Sequence, residues 1–286
     1  MRLLLGRLRA SLWRFHTLPL ADRLFAGVAA AHVLERSLFG LRLRVDVARG
    51  NPQRLLYLEG ERFMPEREVV RRLLRPGMRA VDVGANIGYY LLLIESVVGP
   101  GGSVACFEPE PENLRELERN VAANRLANVR VLAAAVGAED GRVSMRVGIN
   151  AAVVGEEGGD FTVPLLRLDS ALDGPVDFVK IDVEGYEGHV LVGARRLLRE
   201  HRPALLVEIH PGFLAPPSTV DGILAELGEI QPRIELLEIA PQRSFGEKVR
   251  ARYLGRPVRR IPDRQGLLAD CRAGRREEPF WAVCTP

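Results

Sequence analysis

The sequence predicts a doubly wound α/β domain built on a mostly parallel sheet, and three observations point there. Residues 80–90, AVDVGANIGYY, run from an apolar strand through a glycine-bearing loop into a helical pattern. Strand-like and helical runs then alternate as far as residue 239, the order that a parallel sheet requires. A second acid, Glu108, stands 20 residues beyond Gly88 at the end of the next apolar run, SVACFE.

Residues 1–39 predict one or two amphipathic helices, because Leu4, Leu5, Leu8 and Leu12 recur at helical spacing with arginines between them. Such helices either cap the core or form a lid or a peripheral membrane contact. Residues 41–48 alternate Leu and Val with charged residues, and residues 55–59 are a second short apolar run. With Arg49, Gly50, Asn51 and Pro52 as the turn, they predict a hairpin. Pro65 opens a helix that carries acids early and arginines late, and a Pro-Gly pair stops it.

The core strands are expected at residues 80–83, 103–107, 129–136, 176–181 and 204–209, with helices at 87–98, 111–124 and 189–200. Residues 137–159 are rich in Gly, Ala and acids, so one extra strand at 143–147 and a mobile loop are placed there. Residues 161–167 lead into Asp169. A helix at 219–227 precedes a strand at 234–239, residues 241–276 read as a loop or substrate insert, and a closing strand begins at Phe280.

With 286 residues and 47% hydrophobic content, the chain can bury one large core plus an appendage. The expected division is an N-terminal helical and hairpin appendage at 1–62 and a catalytic domain at 63–286. A net charge of +3 is too balanced to argue for a nucleic-acid partner. The basic excess is local, since residues 1–44 hold eight arginines against Asp22 and Glu35. Cys106, Cys271 and Cys284 show no metal or disulfide spacing, which fits reduced thiols in a cytoplasmic protein. No signal peptide is expected at the arginine-broken N-terminus, and FAGVAAAHVL is too short to span a bilayer.

The loop glycines Gly84 and Gly88 flank Asn86 and allow a ligand to approach the backbone closely. The spacing is G-x-x-x-G rather than G-x-G-x-x-G, which counts against a nicotinamide-dependent oxidoreductase. Asp82 ends the strand, where it can orient the loop or face a cationic ligand group. Glu108, followed by Pro109, occupies the position from which such folds bind a ribose diol. In FVKIDVEGYE, strand periodicity puts Lys180, Asp182 and Glu184 on one face at the end of a central strand. Charges there are costly unless paired, so they form either a Lys180–Asp182 pair or an active-site cluster. Glu208 and His210 repeat the pattern on the next strand.

VDVGANIGYY, CFEPEPENLRELERNVAAN, LLRLDS, FVKIDVEGYE and LLVEIH, taken together and in order, resemble the successive motifs of the FkbM-type S-adenosylmethionine-dependent methyltransferases. The resemblance covers about residues 63–210 and leaves out the first forty residues and the tail after about 240. It implies a class I, Rossmann-like sheet of seven strands with S-adenosyl-L-methionine as cofactor, held by Asp82, Gly84, Asn86, Gly88, Glu108 and Pro109. Ala134, Ala135 and Val136 would pack the adenine. It also implies O-methylation of a natural product, sugar or glycan hydroxyl, in keeping with the absence of an N-P-P-Y motif. A noncatalytic module would be expected to lose the loop glycines or Glu108, and both are present. Catalysis is assigned to Asp182, His210, Lys180 and Glu184, with Asp182 or His210 as general base. No metal is assigned, although a cation held by Asp182, Glu208 and His210 is the rival account. Acceptor choice is expected to reside in the N-terminal helices, residues 148–160 and residues 241–276.

Overall fold

The computed structural model describes residues 33–146, 152–155, 159–240 and 256–286. β1 (Val33–Leu38) and β2 (Leu41–Asp46) form an antiparallel hairpin, followed by α1 (Asn51–Glu59) and α2 (Arg67–Leu73). The core begins with β3 (Arg79–Val83), α3 (Tyr89–Val98), β4 (Ser103–Phe107), α4 (Pro111–Asn124) and β5 (Val129–Leu132). Next come β6 (Ala135–Val136), β7 (Gly141–Arg146), β8 (Ala152–Gly155), β9 (Phe161–Leu166) and the single-turn α5 (Leu168–Ala171). The chain returns through β10 (Phe178–Ile181), α6 (Glu187–Gly193), α7 (Arg195–His201), β11 (Ala204–Ile209), α8 (Val220–Ile230) and β12 (Arg233–Ile239). Finally, β13 (Val258–Arg260), α9 (Arg264–Arg272) and β14 (Phe280–Thr285) follow.

The main sheet runs β13-β12-β14-β11-β10-β3-β4-β5, so it has eight strands where seven were expected. The eighth is β13, an edge strand on β12. Pairing is parallel from β11 to β5 and antiparallel where β14 inserts between β11 and β12. The chain leaves β3 toward β4 on one side, and β10 lies on the other. The carboxyl ends of β3 and β10 therefore flank the point where strand order reverses, the place where open α/β sheets form a crevice.

Two-residue alternation divides the strand side chains between two cores. Val81, Val83, Val179, Ile181, Leu205 and Val207 join Val190, Leu198 and Leu224 on one face. Ala80, Phe178, Leu206 and Val104 join the Leu91–Ile94 segment on the other. That segment is fully buried, because α3 lies between the sheet and the hairpin, whose Leu43 and Val45 belong to the same core. A helix covered on all sides needs no polar face, which explains the unbroken YYLLLI.

Several local expectations are corrected. Residues 33–38 form strand β1 rather than helix, because VLERSL alternates in register with LRLRVD across Phe39 and Gly40. Residues 55–59 lie in helix α1, where Pro52 occupies the first turn and supplies a fixed φ. The strand expected at 129–136 breaks in two, and β6 enters a separate four-stranded sheet of order β6-β9-β7-β8. The helix expected at 189–200 is two helices that meet at Ala194. Residues 256–276 hold β13 and α9 rather than loop alone, while 241–255 lie outside the described residues. The amphipathic pattern of residues 1–32 also lies outside them. Among the described residues, no helix is long and apolar enough to cross a membrane.

The hairpin is fastened to α4 through Asn120, whose side chain is fully buried. Its Oδ1 accepts from Arg44 N at 2.8 Å, and its Nδ2 donates to Ile87 O at 2.8 Å and Arg44 O at 3.2 Å. Asn120→Ala would leave the buried Ile87 carbonyl and the partly buried Arg44 backbone groups without this partner, a buried group so orphaned costing about 1–3 kcal/mol. The expected result is a loss of about 2–4 kcal/mol in urea denaturation with unchanged m-value; unchanged stability would show that the hairpin is held by apolar packing alone.

Candidate functional site

The loop after β3 is braced against β4. Gly84 N and Ala85 N both donate to Phe107 O at 3.0 Å, and Gly84 adopts φ 80°. A Cβ on Gly84 would lie 1.9 Å from Asp182 O, so both backbone conformation and space demand glycine. Asn86, at φ 50°, donates its N–H to Glu108 Oε2 at 2.8 Å, while Glu110 N donates to Glu108 Oε1 at 2.9 Å. The Glu108 carboxyl is thus framed by two amides at a position only 4% exposed. Burial pushes its pKa up to about 7, and those amides pull the other way.

Beneath the loop lies Lys180, 2% exposed. Its Nζ donates to Asp182 Oδ2 at 3.2 Å and Gly84 O at 3.3 Å, and it lies 3.5 Å from Asp82 Oδ1. The Tyr90 ring faces the ammonium, with 4.5 Å from Nζ to the ring centroid. Burial opposes the charge of Lys180, but the Asp182 and Asp82 carboxylates outweigh it and raise the pKa. Asp82 is fully buried, its carboxyl oxygens have no hydrogen-bond partner among the described residues, and burial raises its pKa despite Lys180.

These elements enclose a cavity of about 250 Å³. Gly84, Asn86, Glu108 and Pro109 line it on one side, Lys180, Asp182 and Glu184 on another, and Ala134, Ala135 and Val136 form an apolar wall. Asp82 lies below the cavity lining as a partner of Lys180. Gly88 also stays off the wall, opening α3 at φ 99° with a would-be Cβ 2.9 Å from Leu117. Lys180 and Asp182 share a face at the strand end as periodicity predicts. Glu184 does not continue that strand, because β10 ends at Ile181; a left-handed turn at φ 52° carries it to the cavity instead.

His210 anchors a neighbouring acidic cluster. Its Nδ1 meets Glu187 Oε1 at 2.8 Å, and its Nε2 stands 3.4 Å from Glu184, 3.9 Å from Asp182 and 3.9 Å from Glu208. Burial disfavours its charge, yet Glu187, Glu184 and Asp182 raise its pKa to about 9. Burial pushes Glu184 up to about 7 against the pull of His210, and pushes Glu208 well up with help from Asp182. Sequence reasoning missed Glu187, fully buried, and Glu66, which accepts from the Tyr90 hydroxyl and is pushed up to about 7 by burial. Glu66 reads as an ordinary acid in the first turn of a helix, and Glu187 falls just ahead of the helix expected at 189–200. Only the Gly185 turn, whose N–H donates to Glu187 Oε1 at 2.8 Å, hinted at the inward direction of Glu187.

The family described as Methyltransferase FkbM domain matches residues 82–238, more than half of the chain. The crystal structure of an FkbM methyltransferase from Methylobacillus flagellatus KT is 20% identical at a TM-score of 0.44, covering 81% of this chain and 54% of that one. Aeropyrum pernix fibrillarin, in complex with natively bound S-adenosyl-L-methionine, is 18% identical at a TM-score of 0.34, covering 66% of each chain. A curated relative, protein-L-isoaspartate O-methyltransferase of Methanothrix thermoacetophila, is 36% identical over 59 residues, which are 21% of this chain and 28% of that protein. The match therefore spans just over a quarter of the curated relative, and this chain about half of the FkbM structure.

Replacing Lys180 by methionine would leave Asp82 and Asp182 facing each other without a cation. Breaking a buried pair in this way costs about 3–5 kcal/mol. An unpaired Asp82 takes up a proton more readily in the folded state than in the unfolded one, so the penalty applies above its folded pKa and is relieved as pH falls. Calorimetric melting of Lys180→Met should show a deficit that shrinks as pH falls; a pH-independent deficit would show that lost packing dominates.

Proposed function

The chain belongs to the FkbM methyltransferase domain family, and from that premise we propose that it is an S-adenosylmethionine-dependent O-methyltransferase acting on a hydroxyl of a natural product, sugar or glycan. The observation that carries the proposal is one cavity lined both by the Gly84–Asn86–Glu108 frame and by the acids Asp182 and Glu184.

The residues present fit the cofactor. The two N–H groups on Glu108 each take one carboxylate oxygen, and the remaining lone pairs can accept from a ribose diol. Gly84 and Asn86 supply close backbone approach, and the Ala134–Val136 segment supplies an apolar surface for a base. The negative side of the cavity, Asp182 and Glu184, suits a sulfonium cation. S-adenosylmethionine supplies a methyl group already activated by that sulfonium, so the protein has to align the acceptor and take its proton. Asp182 is held by Lys180 and fixes the geometry of the acid side. Glu184 lines the cavity without that tie and is placed to take the hydroxyl proton.

Calorimetry should show S-adenosylmethionine binding and no NAD binding. Because the ribose hydroxyls donate to ionised Glu108, affinity should be full above its pKa and fall as pH drops below about 7. Glu108→Gln would turn an amide donor against Asn86 N or Glu110 N, so it should weaken binding by about 1.5–3 kcal/mol and flatten the pH dependence. Affinity unchanged in this variant would remove Glu108 from the cofactor site.

Incubation of the protein and methyl-labelled cofactor with metabolite and glycan extracts, followed by liquid-chromatography mass spectrometry, identifies the acceptor. With that acceptor, Glu184→Gln should lower turnover by about a hundredfold or more while retaining cofactor affinity, the scale of a lost general base. Full turnover in Glu184→Gln would leave alignment as the sole contribution of the acidic wall.

A further inference from the structure

We propose that Asp182, Glu208 and His210 hold a divalent cation of the manganese or magnesium class at the carboxyl ends of β10 and β11, beside the cavity. One donor atom from each residue lies within 4.8 Å of the other two, and His210 Nε2 is 3.9 Å from both Asp182 Oδ1 and Glu208 Oε1. In an octahedral shell with bonds of about 2.1–2.2 Å, adjacent donors lie about 3 Å apart and opposite donors about 4.3 Å apart. The 3.9 Å separations fall between these limits and are too long for direct hydrogen bonds.

The orientation of each group is fixed from outside the triad. Glu187 Oε1 takes His210 Nδ1 at 2.8 Å, leaving Nε2 as the atom that faces the acids. Lys180 takes Asp182 Oδ2 at 3.2 Å, leaving Oδ1 toward the same point. A buried carboxylate behind a histidine is the arrangement that orients imidazoles toward metals.

A second observation points to an occupant. The His210 side chain is only 7% exposed, and its Nε2 faces three carboxyl groups, Glu184 at 3.4 Å and Asp182 and Glu208 at 3.9 Å. The Glu208 carboxyl group, 16% exposed, has no N–H or O–H hydrogen-bond donor among the described residues. A water molecule could bridge these groups but would not hold together four carboxyl groups, Asp182, Glu184, Glu187 and Glu208, crowded around one imidazole. A donor set of two carboxylates and one imidazole suits a hard divalent cation better than thiophilic metals.

Asp182 belongs to both the triad and the cavity wall, so a cation held here would also orient and acidify an acceptor hydroxyl. That consequence rests on the methyl-transfer reading; binding of the ion does not. The test therefore uses Mn²⁺ alone, titrated into chelator-treated, dialysed full-length protein and followed by electron paramagnetic resonance.

The expected result is one Mn²⁺ per chain, displaced by excess Mg²⁺, with electron spin-echo modulation from a histidine nitrogen. Glu208→Gln and Asp182→Asn should weaken binding tenfold or more, and His210→Ala should abolish the nitrogen modulation. Circular dichroism establishes that each variant is folded, and where one is not, the nitrogen modulation of the unaltered protein decides. No binding up to about 1 mM Mn²⁺, the weak end for protein sites of hard cations, would overturn the proposal. So would bound Mn²⁺ without nitrogen modulation, or full affinity in folded Glu208→Gln. Cofactor calorimetry is a separate measurement, so failure of the ion site and failure of the methyl-transfer reading are distinguishable.

Discussion

A buried ammonium organises this site. Register places Lys180 of β10 directly opposite Asp82 of β3, and its Nζ reaches the Gly84 carbonyl and Asp182 as well. A lysine at the centre of a parallel sheet is costly to desolvate, and that cost is offset only if all these partners stay in place. The contacts join the end of β3, the loop after it and the end of β10. The mouth of the sheet is thereby held at one spacing. The Tyr90 ring covers the ammonium, so the apolar packing of α3 and the polar framework of the loop depend on each other.

Two glutamates at strand ends show how the surroundings decide a role. Glu108 follows β4 and is framed by the amides of Asn86 and Glu110, a preorganised acceptor on a rigid loop. Glu208 lies within β11 and has carboxylates and an imidazole for neighbours instead of amides. The first arrangement satisfies the acid from the protein's own backbone. The second crowds the Glu208 carboxyl group against that of Asp182, on the same side as Glu184. The crevice is therefore asymmetric, with one amide-held carboxyl group where the β3 loop meets β4 and several crowded carboxyl groups where β10 meets β11.

The parallel core was legible because its signals are local: apolar runs of strand length, a Gly-rich loop and an acid at each strand end. Lys180 and Asp182 could be placed on one face because period two holds up to the end of a strand. It failed for Glu184, where the chain had already turned, and no spacing rule anticipates a left-handed residue ahead of Gly185. Glu66 and Glu187 were hidden for another reason. An acid at the start of a helix, as Glu66 is, is ordinarily explained by the helix dipole, Glu187 lay outside the helix expected at 189–200, and only tertiary packing reveals that these two are buried. Likewise, VLERSL and LRLRVD make sense as a hairpin only when paired, whereas VLERSL read alone was absorbed into a helical pattern.

The walls of the cavity come from different layers of the molecule, and this separates its tasks. The sheet ends supply the amide frame, the ammonium and the acids. Leu56 of α1, Phe63 and Met64 close the cavity from the N-terminal side, and Met145 of the second sheet closes it near Tyr186, whose ring stacks on His189 at 4.0 Å. None of these closing residues comes from a strand of the main sheet, so they can vary in size without disturbing the Lys180 contacts. On the proposed reading, the strand ends determine the chemistry, while α1, the Phe63–Met64 segment and the second sheet determine which hydroxyl fits.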